Sequence, residues 1–238
     1  MKNRLFTSSS VDDLIGLLQA WRFWVLGGLV GALIGGLVYF VAPPDFRARA
    51  TVVVDFNMEE AWPVDSDREL FYYLEREARK LEEVALSDAT LAKVSEQVGD
   101  VTVAELRGGL LELSEPADGG WHFYANASSP ERAEELASAW ALVFTDQVRE
   151  GIETAVALDA TRKALESDPA DETLLARVSE LEAESLGITP ELQISPKQLT
   201  DLNAQRRVSL ANYIFAGAVI FMALSALAIL LFGTGRRA

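Results

Sequence analysis

The 238-residue sequence holds a single histidine and no cysteine, so the side chains best suited to metal binding and nucleophilic catalysis are almost missing. Metal sites need His, Cys or carboxylate ligands clustered at fixed spacing. His122 stands alone beside Trp121 and Tyr124 and reads as a strand residue without chemistry. Carboxylates are plentiful, but neighbours such as Glu82-Glu83 and Glu134-Glu135 point to different faces of a helix and read as solvated surface, not as a positioned acid/base couple. A phosphate-cradling loop of the form G-x-x-x-x-G-K-[S/T] is missing, and Gly233-Thr234-Gly235-Arg236 is only a short tail. Asn126-Ala127-Ser128 fits a glycosylation sequon, a three-residue match of low specificity. From these residues we assign no catalytic, cofactor-binding or metal-binding site.

The distribution of charge says more. The chain has 36 acids and 21 bases. The 22 residues between Arg22 and Asp45 carry no charge, and neither do the 28 between Arg207 and Arg236. A bilayer core of roughly 30 Å needs about 20 apolar residues in helix, a length both runs meet. The first run exceeds the apolar core of a cleaved signal peptide, about 7–15 residues. A strongly charged middle region supplies too little apolar surface to wrap two such helices inside a soluble core. The expected organisation is therefore an N-terminal tail over 1–22, a membrane span over 23–43, a domain over 44–211, a second span over 212–232 and a tail over 233–238. The middle region contains 34 of the acids and 16 of the bases. Long loops translocate largely regardless of charge, so both termini are placed in the cytoplasm and the acidic domain outside it. Without disulfides that domain must stand on its apolar core, which its length allows. Its negative charge argues against nucleic-acid partners.

Local patterns supply the elements. Ser10 to Asp13 opens a short amphipathic helix with Leu14, Leu17, Leu18 and Trp21 on one face, which either lies at the inner membrane surface or extends the first span inward. Gly27, Gly31 and Gly35 leave a groove along the first span where another backbone can come close, and Ala211, Ala218 and Ser225 repeat a weaker version on the second. After Pro43-Pro44, the segment from Phe46 to Phe56 alternates Ala48, Ala50, Val52 and Val54 with Arg47, Arg49 and Thr51, the period of a half-buried strand. Leu110 to Glu115 and Trp121 to Ala127 flank a Pro/Gly turn as a hairpin, and Glu191 to Ser195 is a fourth strand. Helices are expected from Ser66 to Val84, from Ser87 to Val98 and, briefly, after Thr102. Ser129 caps a long helix from Pro130 to Ser167. Its stripe of Trp140, Phe144, Val148 and Leu158 calls for a partner, and the return helix carrying Leu174, Val178 and Leu181 can cover only its outer half. The arm so formed runs over about 130–186. The fold class is α+β: two transmembrane helices flanking an extracytoplasmic domain with a mainly antiparallel sheet and a protruding helical hairpin.

This layout resembles the chain-length determinant (Wzz-type) family of polysaccharide co-polymerases. The likeness lies in Asp12-Asp13-Leu14 with its helix, the glycine-rich span, and the junction Pro43-Pro44-Asp45-Phe46 leading into Arg47-Ala48-Arg49-Ala50 and the first strand. Leu86-Ser87-Asp88-Ala89-Thr90-Leu91 and Pro130-Glu131-Arg132-Ala133 at the start of the long helix are also similar to the family's pattern. The sequence departs from it in having only Pro190 and Pro196 before the second span, and in a short arm. The resemblance implies a non-enzymatic scaffold of the bacterial inner membrane, a ring-forming homo-oligomer that regulates polysaccharide chain length beside a polymerase and the growing polymer. The small-residue span faces and the under-covered helix stripe agree with it in calling for neighbouring copies. A different reading is a membrane adaptor that activates a separate tyrosine kinase, with the short Arg236-Arg237 tail as its limited docking surface.

Overall fold

In a computed structural model of the chain, residues 20–58, 67–114, 120–200 and 202–232 are described. The elements in order are α1 (Trp21–Val41), β1 (Phe46–Asp55), α2 (Asp67–Ala85), α3 (Asp88–Val98), the single turn α4 (Val103–Glu105), β2 (Leu111–Leu113), β3 (Trp121–Ala127), α5 (Pro130–Ser167), α6 (Glu172–Glu184), β4 (Gln193–Gln198), the two-residue β5 (Gln205–Arg206) and α7 (Leu210–Phe232). The class is mixed α+β with an antiparallel sheet and two long apolar helices near the chain ends. Contacts divide the chain into two compact units, one holding α1 and α7, the other spanning Asp45–Gln205. The expected amphipathic helix over 10–21 and the tail over 233–238 lie outside the described residues, except that Trp21 opens α1.

In the Asp45–Gln205 unit the strands run β2-β3-β1-β4, with β5 also pairing β1. Strand β1 is antiparallel to β3, from Phe46 opposite Ala127 to Val52 opposite Trp121. The hairpin read from the sequence forms, Leu111 pairing with Ala125 and Leu113 with Phe123. The last strand is displaced from its expected range. It begins at Gln193 and runs through Pro196, which sits opposite Val52 beside a break in register at Thr51/Val52. Proline is tolerated there because β4 is an edge strand and the missing N–H takes nothing from the ladder.

The period of two in β1 decides which face carries the core. Ala48, Ala50 and Val52 are fully buried, as are Phe123 and Ala125 beside them. Helix α5 lies on this face, bringing Trp140 and Phe144 onto Phe123 at ring-centroid distances of 4.8 and 5.0 Å. Alanines on both the strand and the helix (Ala137, Ala141) let the two backbones come close enough for these rings to interlock. The Trp140 indole N–H donates to the Ala85 carbonyl at the end of α2, 2.8 Å away, so a wholly buried polar atom is satisfied. Leu81, Leu91, Val94 and Leu106 complete the cluster.

Helix ends follow their capping signals. Ser87 accepts from the Thr90 N–H, Ser129 from the Arg132 N–H, and Thr102 and Glu105 exchange both bonds of a capping box. Arg132 reaches back to the open carbonyls at the end of α3, donating to Val98 and Gly99. One element escapes the sequence pattern. After α4 the chain makes a wide turn over Leu106–Leu110, with Gly109 at φ 117°, before it enters β2.

Replacing Trp140 by Ala should cost about 3–5 kcal/mol, the usual range for emptying a buried aromatic site, read as a lower urea midpoint by circular dichroism. Trp140→Phe should cost less while still leaving the Ala85 carbonyl without its donor.

Candidate functional site

The residues singled out from the sequence fall into three places. The first is the pair of apolar helices. Helix α1 turns its glycines toward α7, and Gly28, Gly31 and Gly35 are its only buried residues. A methyl group on Gly31 would overlap the Gly217 carbonyl oxygen and stand 2.5 Å from the Phe221 Cβ. One on Gly27 would overlap the Ser225 hydroxyl, one on Gly35 the Tyr213 carbonyl, and one on Gly28 would lie 3.6 Å from the Ala218 carbonyl. Gly27, Gly31, Gly35, Ala218 and Ser225 therefore do pack helices, but within one chain. The first helix's groove, expected to meet a neighbouring copy, is here occupied by the chain's own second apolar helix. Gly217, which meets Gly31 backbone to backbone, was passed over in the sequence. Its signal was that it is the single glycine inside the expected second span over 212–232.

The junction after α1 is the second place. Pro43 is exposed, and the Pro44 carbonyl accepts from the Arg206 guanidinium at 2.9 Å. Arg206 also lies over the Tyr39 ring, 5.6 Å from its centroid, and Tyr39 packs edge-on to Tyr213. Phe46 opens β1 and packs half-buried against the domain core.

The third place is the arm. Trp140, Phe144 and Val148 belong to the domain core, and only the outer part of α5 meets α6, through buried Leu158 and Leu181 with Leu174 and Val178 partly covered. Arg162, which interrupts the apolar stripe, bonds Glu182 of α6 at 2.6 Å. At the arm's base the segment Leu186-Gly187-Ile188 crosses α5 where Gly151 leaves room, a methyl there standing 2.7 Å from Ile188 Cδ1. Lys80 of α2 holds this crossing by donating to the Gly187 carbonyl (2.7 Å) and to the buried Glu77 carboxylate (2.8 Å). A cleft of about 570 Å³ beside it is floored by Ala155, Leu158 and Ile188 and rimmed by Asp159, Arg162, Glu182 and Glu191. Its charges are largely mutually paired, Arg162 with Glu182 and Lys163 with Asp159.

The sheet face away from α5 is polar. Arg47 stacks 4.0 Å from the Tyr124 ring centroid and bonds Glu112 at 2.8 Å. His122 is buried, its Nδ1 3.1 Å from the Thr51 hydroxyl across the strand pair. Asn126 is also buried and donates to the Gly109 carbonyl, so the sequon is folded into the sheet and closed to a glycan. Among the described residues no cluster of three metal-ligating side chains occurs.

Tyr73, Glu105, Lys163 and Asp171 have titrations displaced by their structural surroundings. Burial pushes the Tyr73 hydroxyl up, opposed by its hydrogen bond with Thr189. The Asp159 carboxylate raises Lys163. Thr102 lowers Glu105 through backbone and side-chain hydrogen bonds, and those from Thr173 and Leu174 lower Asp171, the cap of α6. No known family model and no curated protein matches the sequence.

Two measurements follow from this geometry. Gly31→Leu should lower the thermal midpoint in detergent while leaving the particle mass by mass photometry unchanged, because the face it blocks is filled within the chain. For α6, a folded-state pKa below the ordinary 3.8 means that the cap stabilises above that value and is lost as pH falls through the lowered one. The Thr173 and Leu174 amide resonances should therefore shift with acid in the native chain, and Asp171→Asn should flatten that response.

Proposed function

We propose that this chain is a two-pass membrane protein of the bacterial inner membrane, with both termini cytoplasmic and the acidic α+β domain outside. In this reading it acts as a scaffold, without chemistry of its own, that regulates polysaccharide chain length beside a polymerase. The observation that carries the membrane part is the surface of the helix pair. Apart from the glycine seam, no described residue of α1 or α7 is buried, with Leu33 at 75%, Phe40 at 72% and Phe215 at 72% of full exposure. An apolar patch of that extent is untenable in water, and α1 at 21 residues and α7 at 23 are long enough for a bilayer core. Tyrosines 39 and 213 beside Arg206 form the amphipathic cluster expected at headgroup depth.

The scaffold part rests on the resemblance and on the domain's form. Helix α5, at 38 residues, extends about 57 Å at 1.5 Å per residue, with α6 covering only its outer part. The sites found are packing sites, and the charged cleft spends its charges on one another. A homo-oligomer in which neighbouring arms and sheets meet would use such a rod without any reacting group.

Protease added to intact spheroplasts should cut within residues 45–205, whereas protection until lysis would overturn the orientation. Deleting the gene should alter the length distribution of the cell's surface polysaccharide on a gel, and an unchanged ladder would remove the co-polymerase role.

A further inference from the structure

The pairing of α1 and α7 leaves one apolar groove open. Gly35 and Gly217 bring no side chains to fill it, and Ile34, Val38, Ala216 and Ile220 wall it, enclosing about 420 Å³. That volume falls among small-ligand sites, roughly 300–1,000 Å³. The lining runs from Val208 to Phe221. Between Leu210 and Phe221 the helix rises about 17 Å at 1.5 Å per residue, against about 15 Å for one leaflet of a 30 Å hydrocarbon core.

The groove is polar at one end only. Asn212 and Tyr213 line it there, and Arg207 is exposed one residue before the lining residue Val208. Arg206 is engaged with the Pro44 carbonyl and Tyr39, whereas Arg207 stands open to solvent. No acidic side chain occurs from Phe23 to Pro44 or after Asp201, so an anion at this end meets no like charge from either helix.

We propose that the groove holds one acyl chain of an anionic phospholipid, with Arg207 and the Asn212 amide meeting its phosphate. An apolar slot whose α7 wall runs about one leaflet's depth, with an exposed cation one residue beyond its lining, matches the two parts of such a lipid. A zwitterionic lipid would fill the slot but leave the cation poorly matched. The proposal rests on the reading of both helices as membrane spans.

The test uses the full chain, purified in detergent, stripped of lipid and titrated with phosphatidylglycerol or phosphatidylcholine under native mass spectrometry. One phosphatidylglycerol per chain should bind about fivefold tighter than phosphatidylcholine, the effect of one arginine near an anionic headgroup. Arg207→Gln should remove that preference. Ala216→Phe, which fills the groove from α7, should abolish retention of both lipids, and Ile34→Phe, which fills it from α1, should do the same. Equal affinity for the two lipids, a preference that survives Arg207→Gln, or undiminished binding in both filled variants would each overturn the proposal. Alkaline carbonate separates the two levels. A chain released from membranes sinks the two-span reading, while one that stays with them and retains no lipid sinks the groove alone.

Discussion

At Gly31 and Gly217 two backbones meet with no side chain between them, and the rest of the helix pair is arranged around that contact. The Cα of one glycine faces the carbonyl of the other, so even a methyl group is excluded on either side. In the bilayer proposed for this pair there would be no hydrophobic force to press the helices together, and close van der Waals packing would have to do it. The same contact decides what remains for other molecules. Spending the glycine face within the chain leaves larger apolar side chains and the exposed Ala211, Ala216, Ala223 and Ala228 of α7 facing outward, plus the shallow groove where Gly35 and Gly217 bring nothing to fill it.

The Asp45–Gln205 unit has its own organising element in α5. Its inner turns carry the aromatic anchors onto the sheet, and its outer turns leave the core altogether to build the arm with α6. Sheet packing and arm thus share one continuous helix. The device that fixes the arm's base is polar. Lys80 ties the Gly187 carbonyl to the buried Glu77, and without that lysine Glu77 would lose its closest partner. On the far side of the sheet the stacked Arg47 and Tyr124, with Glu112, show how an acidic domain places some of its few cations.

Much of this was legible in the residues. Alternation in β1 and the Ser87, Thr102 and Ser129 caps act through their near neighbours, and those elements fall where local chemistry puts them. The edge strand was displaced because Pro196 reads locally as a stop, and only its position at the sheet's margin makes it harmless. The wide turn at Leu106–Leu110 and the two residues of β5 carry no periodic signal.

The sequence by itself determined the two apolar runs, their glycine spacing, the strand and helix order, and the scarcity of catalytic side chains, because these are properties of composition and of residues a few positions apart. Tertiary structure alone decided that the glycine groove is filled by α7 of the same chain, that Gly217 is the residue meeting Gly31, and that Asn126 is closed off inside the sheet. Each of these depends on which distant segment comes to lie against which, and spacing along one helix or strand says that a surface will pack without saying upon what.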